Sequence, residues 1–160
     1  PALQRVAPAE QRKAASSNLR HAAQALGSVD GTVLLEPLSS PTPSAERFPI
    51  DSLERAWDVL TESGAGNAGL LFDQFHLEVN GFDLRAELGR WSREIRHVQI
   101  ADAPPRSEPG SGRTDYAAFF RALRSIGYRG HVALEFFPSP GSVDPLRHWR
   151  QNRAEWERGA

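Results

Sequence analysis

The chain has 160 residues, of which 39% are hydrophobic and 24% are charged, and its formal net charge is −1. This balance predicts one folded domain over residues 1–160 and shows no electrostatic footprint for nucleic acid, which usually requires a basic face. Because the chain has no cysteine and no apolar run near the roughly 18 residues of a membrane span, we expect no disulfide or thiolate chemistry, no membrane partner and a cytoplasmic location.

Four short apolar runs alternate with helical patterns along the chain. The runs predict strands at 31–38, 69–73, 95–102 and 131–137, and the helical patterns cover 9–27, 51–64, 82–93, 115–130 and 144–160. Runs that are almost continuously apolar are typical of parallel strands covered on both faces. The order therefore predicts an α/β fold, in which one helix precedes four strand–helix units with right-handed crossovers.

A few residues predict where the helices begin and end. Asp51 and Glu54 are spaced like a capping box, and Asp115 is predicted to be a second cap. Gly127 suits the position just beyond its helix, and Pro145 suits the first position of the last helix. We therefore interpret Asp51 and Asp115 as structural residues.

Each predicted strand ends on an oxygen-bearing side chain. These residues are Glu36, Asp73, Gln99 and Glu135. Parallel strands place their carboxyl ends at the same rim, where three converging carboxylates without a cation would repel one another. Three carboxylates and one amide suit a hard ion such as Mg²⁺ or Mn²⁺ better than Zn²⁺. A single acidic residue at a strand end is usually a turn or cap residue, but four such ends in succession favour a metal site.

Three further residues lie beside this predicted rim. His76 follows Asp73 by one helical turn, and a neutral histidine there can donate to a developing oxyanion. Arg106 and Glu108 lie in the Pro/Gly/Ser-rich loop after the third strand, and arginine suits bidentate capture of a carboxylate. The alternatives are a packing histidine and a solvated loop arginine.

At these residues the chain resembles the hydroxypyruvate isomerase family, within the xylose isomerase-like (β/α)₈ TIM barrel superfamily. The resemblance is carried by "NLRHAAQALG", "LLEPLSS", "GLLFDQFH", "HVQIADAPPRSEPGSGRTDY" and "GYRGHVALEFFP", and it runs over nearly the whole chain. It implies that the chain carries about the last four β/α units of the barrel, plus the preceding helix. The missing half, and the absence of methionine even at position 1, lead us to expect a fragment or processed product. We expect such a chain to pair with a complementary half, to pair with itself, or to be only marginally stable alone.

The resemblance also implies a ligand set and a reaction. The metal ligands would be Glu36, Asp73, Gln99 and Glu135, and the two glutamates would also donate and accept the proton. His76 and Arg106 match positions that contact the substrate in related ketose epimerases. With Glu108, which is a candidate from its place in the loop, they would contact a small hydroxy-oxo acid or sugar acid. The implied reaction interconverts hydroxypyruvate and tartronate semialdehyde (2-hydroxy-3-oxopropanoate) by proton transfer through a cis-enediolate.

Several alternatives stay open at this point. A 2-oxo-tetronate isomerase would use the same residues, whereas a ketose 3-epimerase typically has histidine where Gln99 stands. A DNA repair enzyme like endonuclease IV needs a D-x-H motif, which this chain lacks. A catalytically idle scaffold or interaction fragment is the alternative of another class.

Overall fold

A computed structural model describes residues 6–40 and 48–158 of the chain. Part of the loop predicted at 38–49, and the last two residues of the helix predicted at 144–160, lie outside the described residues. The chain divides into two compact units, which we describe in turn. Unit 1 comprises Pro1–Phe72 and Glu94–His97, and unit 2 comprises Asp73–Arg93 and Val98–Ala160.

Helices and strands alternate along the chain, as the sequence predicts. In chain order the elements are α1 (Pro8–Gly27), β1 (Val33–Leu35), α2 (Leu53–Ser63), β2 (Ala68–Asp73), α3 (Gln74–Val79), α4 (Leu84–Arg90), β3 (Ile95–Ile100), α5 (Tyr116–Ser125), β4 (Val132–Leu134) and α6 (Arg147–Arg158). The strand order is β1-β2-β3-β4, and β1 with β2 and β3 with β4 pair in parallel. The predicted α/β fold with parallel strands is thus confirmed.

In unit 1, α2 presents an apolar face. Leu53, Ala56 and Leu60 on that face are buried, because residues three and four apart lie on one side of a helix. The predicted cap at Asp51 is wrong by one residue: the Ser52 side chain accepts a hydrogen bond from the Arg55 backbone N–H. Asp51 instead accepts a hydrogen bond from the Arg55 guanidinium at 2.8 Å.

In unit 2, α5 packs through an apolar stripe and against α6. Its apolar stripe, which includes Phe119 and Leu123, is buried. The Trp149 ring on α6 lies 6.1 Å from the Phe120 ring, and the Trp156 ring lies 4.7 Å from the Tyr116 ring, measured between centroids. Aromatic pairs at these separations stabilise the packing of α6 on α5.

The cap predictions in unit 2 have mixed outcomes. Asp115 accepts a hydrogen bond from the Ala118 N–H and caps α5, as predicted. Gly127 lies just beyond α5 with φ of 70°, a left-handed conformation that glycine adopts without steric cost. Pro145 does not begin the last helix, because residues 144–147 form a turn in which the Arg147 N–H donates to the Asp144 carbonyl at 3.1 Å. In the described part of the chain, no helix is long and apolar enough to cross a membrane.

Candidate active site

Asp73 ends β2 and caps α3, a short helix that the sequence patterns did not predict. Its Oδ1 accepts a hydrogen bond from the Phe75 N–H at 2.8 Å, which is the usual geometry of an N-cap. Its Oδ2 accepts a hydrogen bond from Arg106 Nη2 at 2.5 Å. The side chain is only 1% exposed, so both oxygens are satisfied within the protein. This pairing offsets the free-energy cost of burying a carboxylate.

Arg106 joins two of the carboxylates that the sequence predicts as metal ligands. The same Nη2 atom lies 2.5 Å from Asp73 Oδ2 and 3.2 Å from Glu135 Oε2. The guanidinium carbon also lies 5.2 Å from the centre of the Phe75 ring, a cation–π distance. Among the described residues, the buried Nε atom of Arg106 has no hydrogen-bond acceptor. One guanidinium therefore pairs with two carboxylates, which leaves one negative charge of the group uncompensated by it, and its Nε–H donates no hydrogen bond to any described residue.

His76 faces the same carboxylate. Its Nε2 lies 3.8 Å from Asp73 Oδ2, and its side chain is largely buried. Burial lowers the pKa of His76, and the nearby Arg106 charge lowers the pKa further, against the opposing effect of Asp73. The imidazole is therefore neutral at pH 7 and has one donor and one acceptor nitrogen.

The remaining predicted ligands in unit 2 lie at the ends of β3 and β4. Gln99 is on β3, and its Oε1 atom is buried without a hydrogen-bond donor among the described residues. Glu135 follows β4 directly, and its N–H donates to the Ile100 carbonyl at 3.1 Å, while its side chain is 46% exposed. In unit 1, Glu36 likewise follows β1 directly and is half-buried.

The donor chemistry in unit 2 suits a divalent cation. Asp73 and Glu135 offer carboxylate oxygens and Gln99 offers an amide oxygen, which are ligands of hard cations. The buried Gln99 oxygen is the most informative of these atoms, because leaving a buried acceptor unsatisfied costs free energy that a cation would recover. The residues present therefore fit a bound metal ion.

Glu108 has different partners from those expected of a substrate-binding residue. Its Oε1 accepts a hydrogen bond from the Ser139 N–H at 2.9 Å, and its Oε2 accepts one from the Ser139 hydroxyl at 2.6 Å. The hydroxyl bond is the largest cause that lowers the Glu108 pKa to about 2. Nearby, the Phe137 N–H donates to the Arg106 carbonyl at 2.8 Å. Glu108 and Phe137 thus fasten the loop that carries Arg106 to the segment after β4.

Sequence reasoning missed Asp102, which organises the same loop. Asp102 is fully buried and accepts hydrogen bonds from the Gly110 N–H at 2.6 Å and the Thr114 N–H at 3.1 Å. The available signal was its place at the end of "HVQIAD", directly before a loop rich in proline, glycine and serine. Such loops need acceptors for their backbone N–H groups.

Comparison with known proteins identifies the family. Residues 2–158 match the family described as xylose isomerase-like TIM barrel. The chain belongs to this family. The match confirms the predicted barrel superfamily, of which the chain carries a four-stranded part.

The related sequences carry isomerase names. The hydroxypyruvate isomerase of Escherichia coli (strain K12) is 30% identical over 130 residues, covering 81% of this chain and 50% of that protein. A Streptomyces coelicolor protein provisionally named for the same activity is 37% identical over 137 residues, covering 83% and 48%. The 2-oxo-tetronate isomerase of Cupriavidus necator is 31% identical over 125 residues, covering 78% and 47%. The chain thus spans about half the length of the curated relatives it matches.

Solved structures show the same fold. The 3-keto-D-glucoside 4-epimerase YcjR from E. coli has a TM-score of 0.82 and 27% identity, covering 98% of this chain and 57% of that one. The IOLI protein, solved with a binding zinc atom, has a TM-score of 0.72 and 20% identity, covering 96% and 59%. At 20% identity the IOLI likeness shows the fold alone.

Proposed function

We propose that the chain contributes the catalytic residues of a metal-dependent isomerase that interconverts hydroxypyruvate and tartronate semialdehyde. The observation that carries the proposal is the buried Gln99 oxygen on β3, which has no donor in the described part of the chain. Of the strands on either side of β3, one ends at Asp73 and the other is followed by Glu135, and these two carboxylates share Arg106. The names of the related sequences support the reaction class. An amide at this position favours the isomerase over a ketose 3-epimerase, which typically has histidine there.

The proposed metal ligands are Glu36, Asp73, Gln99 and Glu135, and the proposed ion is Mg²⁺ or Mn²⁺. When bound, such an ion polarises a carbonyl oxygen of the substrate and acidifies the neighbouring C–H bond. The hydrogen bond from the Phe75 N–H fixes Oδ1 of Asp73 at the start of α3 and leaves Oδ2 for this role.

The proton transfer is proposed for the two glutamates. One of Glu36 and Glu135 accepts the C3 proton of hydroxypyruvate, and the other delivers a proton to C2 of the cis-enediolate. The half-exposed Glu135 side chain can reach both solvent and substrate, as an exchanging acid–base group must. Neutral His76 donates a hydrogen bond to the oxygen on which negative charge develops.

The substrate class follows from Arg106. A guanidinium beside a catalytic centre suits the carboxylate of a small hydroxy-oxo acid, which a neutral ketose lacks. The similarity to a 2-oxo-tetronate isomerase makes the four-carbon acid the second candidate substrate. The proposed partner of the chain is the remaining half of such a barrel, or a second copy of this chain in its place.

Solvent-deuterium exchange tests the proposal. Hydroxypyruvate is incubated with the chain and Mn²⁺ in D₂O, and deuterium at C3 is measured by mass spectrometry after the metal is removed with a chelator. The wild-type chain is expected to catalyse the exchange, and Glu135→Gln is expected to abolish it, because the amide cannot accept the proton. Glu155→Gln, an exposed residue on α6, is the matched control.

The outcomes separate the alternatives. Exchange in the Glu135→Gln variant at the wild-type rate contradicts the catalytic assignment. Faster exchange with 2-oxo-tetronate than with hydroxypyruvate assigns the four-carbon substrate, and turnover of D-fructose assigns an epimerase. No exchange with any of the three favours the idle scaffold.

A further inference from the structure

Both oxygens of Asp73 already have partners. Oδ1 accepts the Phe75 N–H at the start of α3, and Oδ2 accepts the Arg106 guanidinium at 2.5 Å. The cap bond is part of the strand-to-helix connection and is lost only if α3 is disturbed. Oδ2 is therefore the atom through which Asp73 can bind a cation, and it is the atom that Arg106 holds.

Glu135 is held by the same nitrogen atom. Arg106 Nη2 lies 3.2 Å from Glu135 Oε2, so one guanidinium nitrogen bridges two of the proposed metal ligands. A divalent cation held by both of these oxygens would compete with this nitrogen for them. The two positive groups also repel each other strongly in a largely buried site.

The backbone of Arg106 is anchored independently of its side chain. The Arg106 carbonyl accepts the Phe137 N–H, and Ser139 binds both carboxylate oxygens of Glu108, two residues further along the loop. The side chain is held by the two ion pairs and by the Phe75 ring, and 16% of it is exposed. The guanidinium can thus change partners by side-chain rotation while the loop stays in place.

We propose that Arg106 exchanges partners when the site is loaded: it pairs with Asp73 and Glu135, or it yields their oxygens to the divalent cation and binds the carboxylate of the substrate acid. This inference rests on the proposed function and adds to it the order in which the ligands bind, with the cation before the acid. The cation releases the guanidinium, and the released guanidinium completes the site for the acid. Binding of the cation and binding of a 2-hydroxy acid are therefore positively coupled through one side chain.

The partner exchange also gives a reason for selecting acids. A released guanidinium that finds no anion is left as a positive charge close to the metal. A ligand with a carboxylate compensates that charge, whereas a neutral polyol of the same length does not.

Metal affinity without any substrate is the first test. Mn²⁺ binding to the full chain is measured by EPR for the wild type, Arg106→Gln, Arg106→Lys and the control Arg113→Gln. Arg113 lies in the same loop and is exposed, so its replacement removes the same charge away from the carboxylates. Loss of the bound Mn²⁺ signal in Asp73→Asn assigns the ion to this site.

Because Arg106 and the cation compete for the same oxygens, the affinity for Mn²⁺ is expected to increase when Arg106 is replaced by a shorter or neutral side chain. Arg106→Gln is expected to bind Mn²⁺ roughly tenfold more tightly than wild type, because a competing cation has been removed. Arg106→Lys is expected to lie between the two, since lysine keeps the charge but is less suited to bridging two carboxylates. Arg113→Gln is expected to stay within about twofold of wild type, as a screened surface charge should.

The second measurement is the effect of an acid on that affinity. D-Glycerate is expected to tighten Mn²⁺ binding in the wild type, and glycerol is expected to have no effect. In Arg106→Gln, D-glycerate should increase the Mn²⁺ affinity only as far as direct chelation of the ion by glycerate does, because the guanidinium that binds its carboxylate is absent. Circular dichroism establishes whether each variant is folded. If Arg106→Gln is unfolded, the comparison is made with Arg106→Lys instead.

The outcomes distinguish this inference from the proposed function. Unchanged or weaker Mn²⁺ binding in Arg106→Gln overturns the partner exchange and leaves the metal site standing. Mn²⁺ binding in Arg106→Gln but not in the wild type supports the exchange, because Arg106 would then exclude the cation completely in the absence of an acid. An absence of Mn²⁺ binding in both chains overturns the exchange together with the metal dependence of the proposed function.

Discussion

Two buried aspartates of unit 2, Asp73 and Asp102, lie at or just after the ends of consecutive strands, and their carboxylates have different kinds of partner. Asp102, after β3, accepts two backbone N–H groups from its own loop, those of Gly110 and Thr114. Asp73, at the end of β2, accepts one backbone N–H and one guanidinium group. The two side chains are equally inaccessible, with exposures of 0% and 1%.

The difference separates a structural carboxylate from an exchangeable one. The partners of Asp102 are fixed by the main chain, so they can leave only if the loop unfolds. The Arg106 partner of Asp73 is a side chain that can rotate away and be replaced by another cation. Burial of a carboxylate alone therefore does not indicate a functional site, whereas a partner on a side chain that can rotate away leaves the carboxylate able to bind another cation.

The largest effect on stability is expected at Asp102. In Asp102→Asn one oxygen becomes an NH₂ group, so one of the two loop N–H groups loses its acceptor and faces a second donor. We expect a loss of about 2 kcal/mol in the free energy of unfolding, within the range for an unsatisfied buried group. In Asp73→Asn the cap oxygen can be kept and Arg106 retains Glu135, so we expect about 1 kcal/mol.

Urea unfolding followed by circular dichroism measures both losses. The two substitutions remove the same charge and are nearly isosteric, so each serves as the control for the other. An equal or larger loss for Asp73→Asn would contradict the distinction between fixed and exchangeable partners.

A smaller effect, confined to acid pH, is expected at Glu108. Hydrogen bonds from Ser139 lower its pKa from 4.5 to about 2. Since the pKa is lower in the folded chain, this group contributes stability that is present above about pH 4.5 and is lost as the pH falls towards 2. Ser139→Ala removes the main cause of the shift and should move the acid unfolding transition to higher pH.

An acid titration followed by circular dichroism checks this expectation. Ser125→Ala is the matched control, because that hydroxyl donates to the Ala122 carbonyl of its own helix at 2.8 Å. Coinciding acid transitions for wild type and Ser139→Ala would show that Glu108 does not belong with Asp102 among the carboxylates with fixed partners.

The fold and the strand-end positions of Asp73 and Glu135 were predictable from local patterns. The apolar runs at 69–73 and 131–137 were long enough to mark strands, and Gly127 marked the end of a helix that an apolar stripe had already indicated. Helix α3 was not predictable in this way. It has six residues, too few for a periodic pattern, and it forms because Asp73 caps it.

The partners of the loop residues could not be predicted from the sequence. Residue types identify Arg106 as a cation and Glu108 as an anion, but their contacts depend on the path of the loop after β3. That path is set by Asp102 and by the contact of Glu108 with Ser139, 31 residues later in the chain. Long-range hydrogen bonds of this kind leave no periodic trace in the sequence.

The smallest effect on the free energy of unfolding is expected at Asp83. This residue caps α4 as Asp73 caps α3, but it is exposed and its cap bonds come from backbone N–H groups. Its Oδ1 accepts the Arg85 and Ala86 N–H groups at 2.9 and 3.1 Å in an exposed position at the start of α4. Asp83→Ala should reduce the free energy of unfolding by up to about 1 kcal/mol, and Asp83→Asn by a few tenths, roughly, because asparagine is as good a cap. Comparable losses for the two variants in urea unfolding would show that the charge, rather than the hydrogen bond, makes the cap. That result would also change the interpretation of Asp73→Asn: part of its loss would then belong to α3, and only the remainder to the ion pair with Arg106.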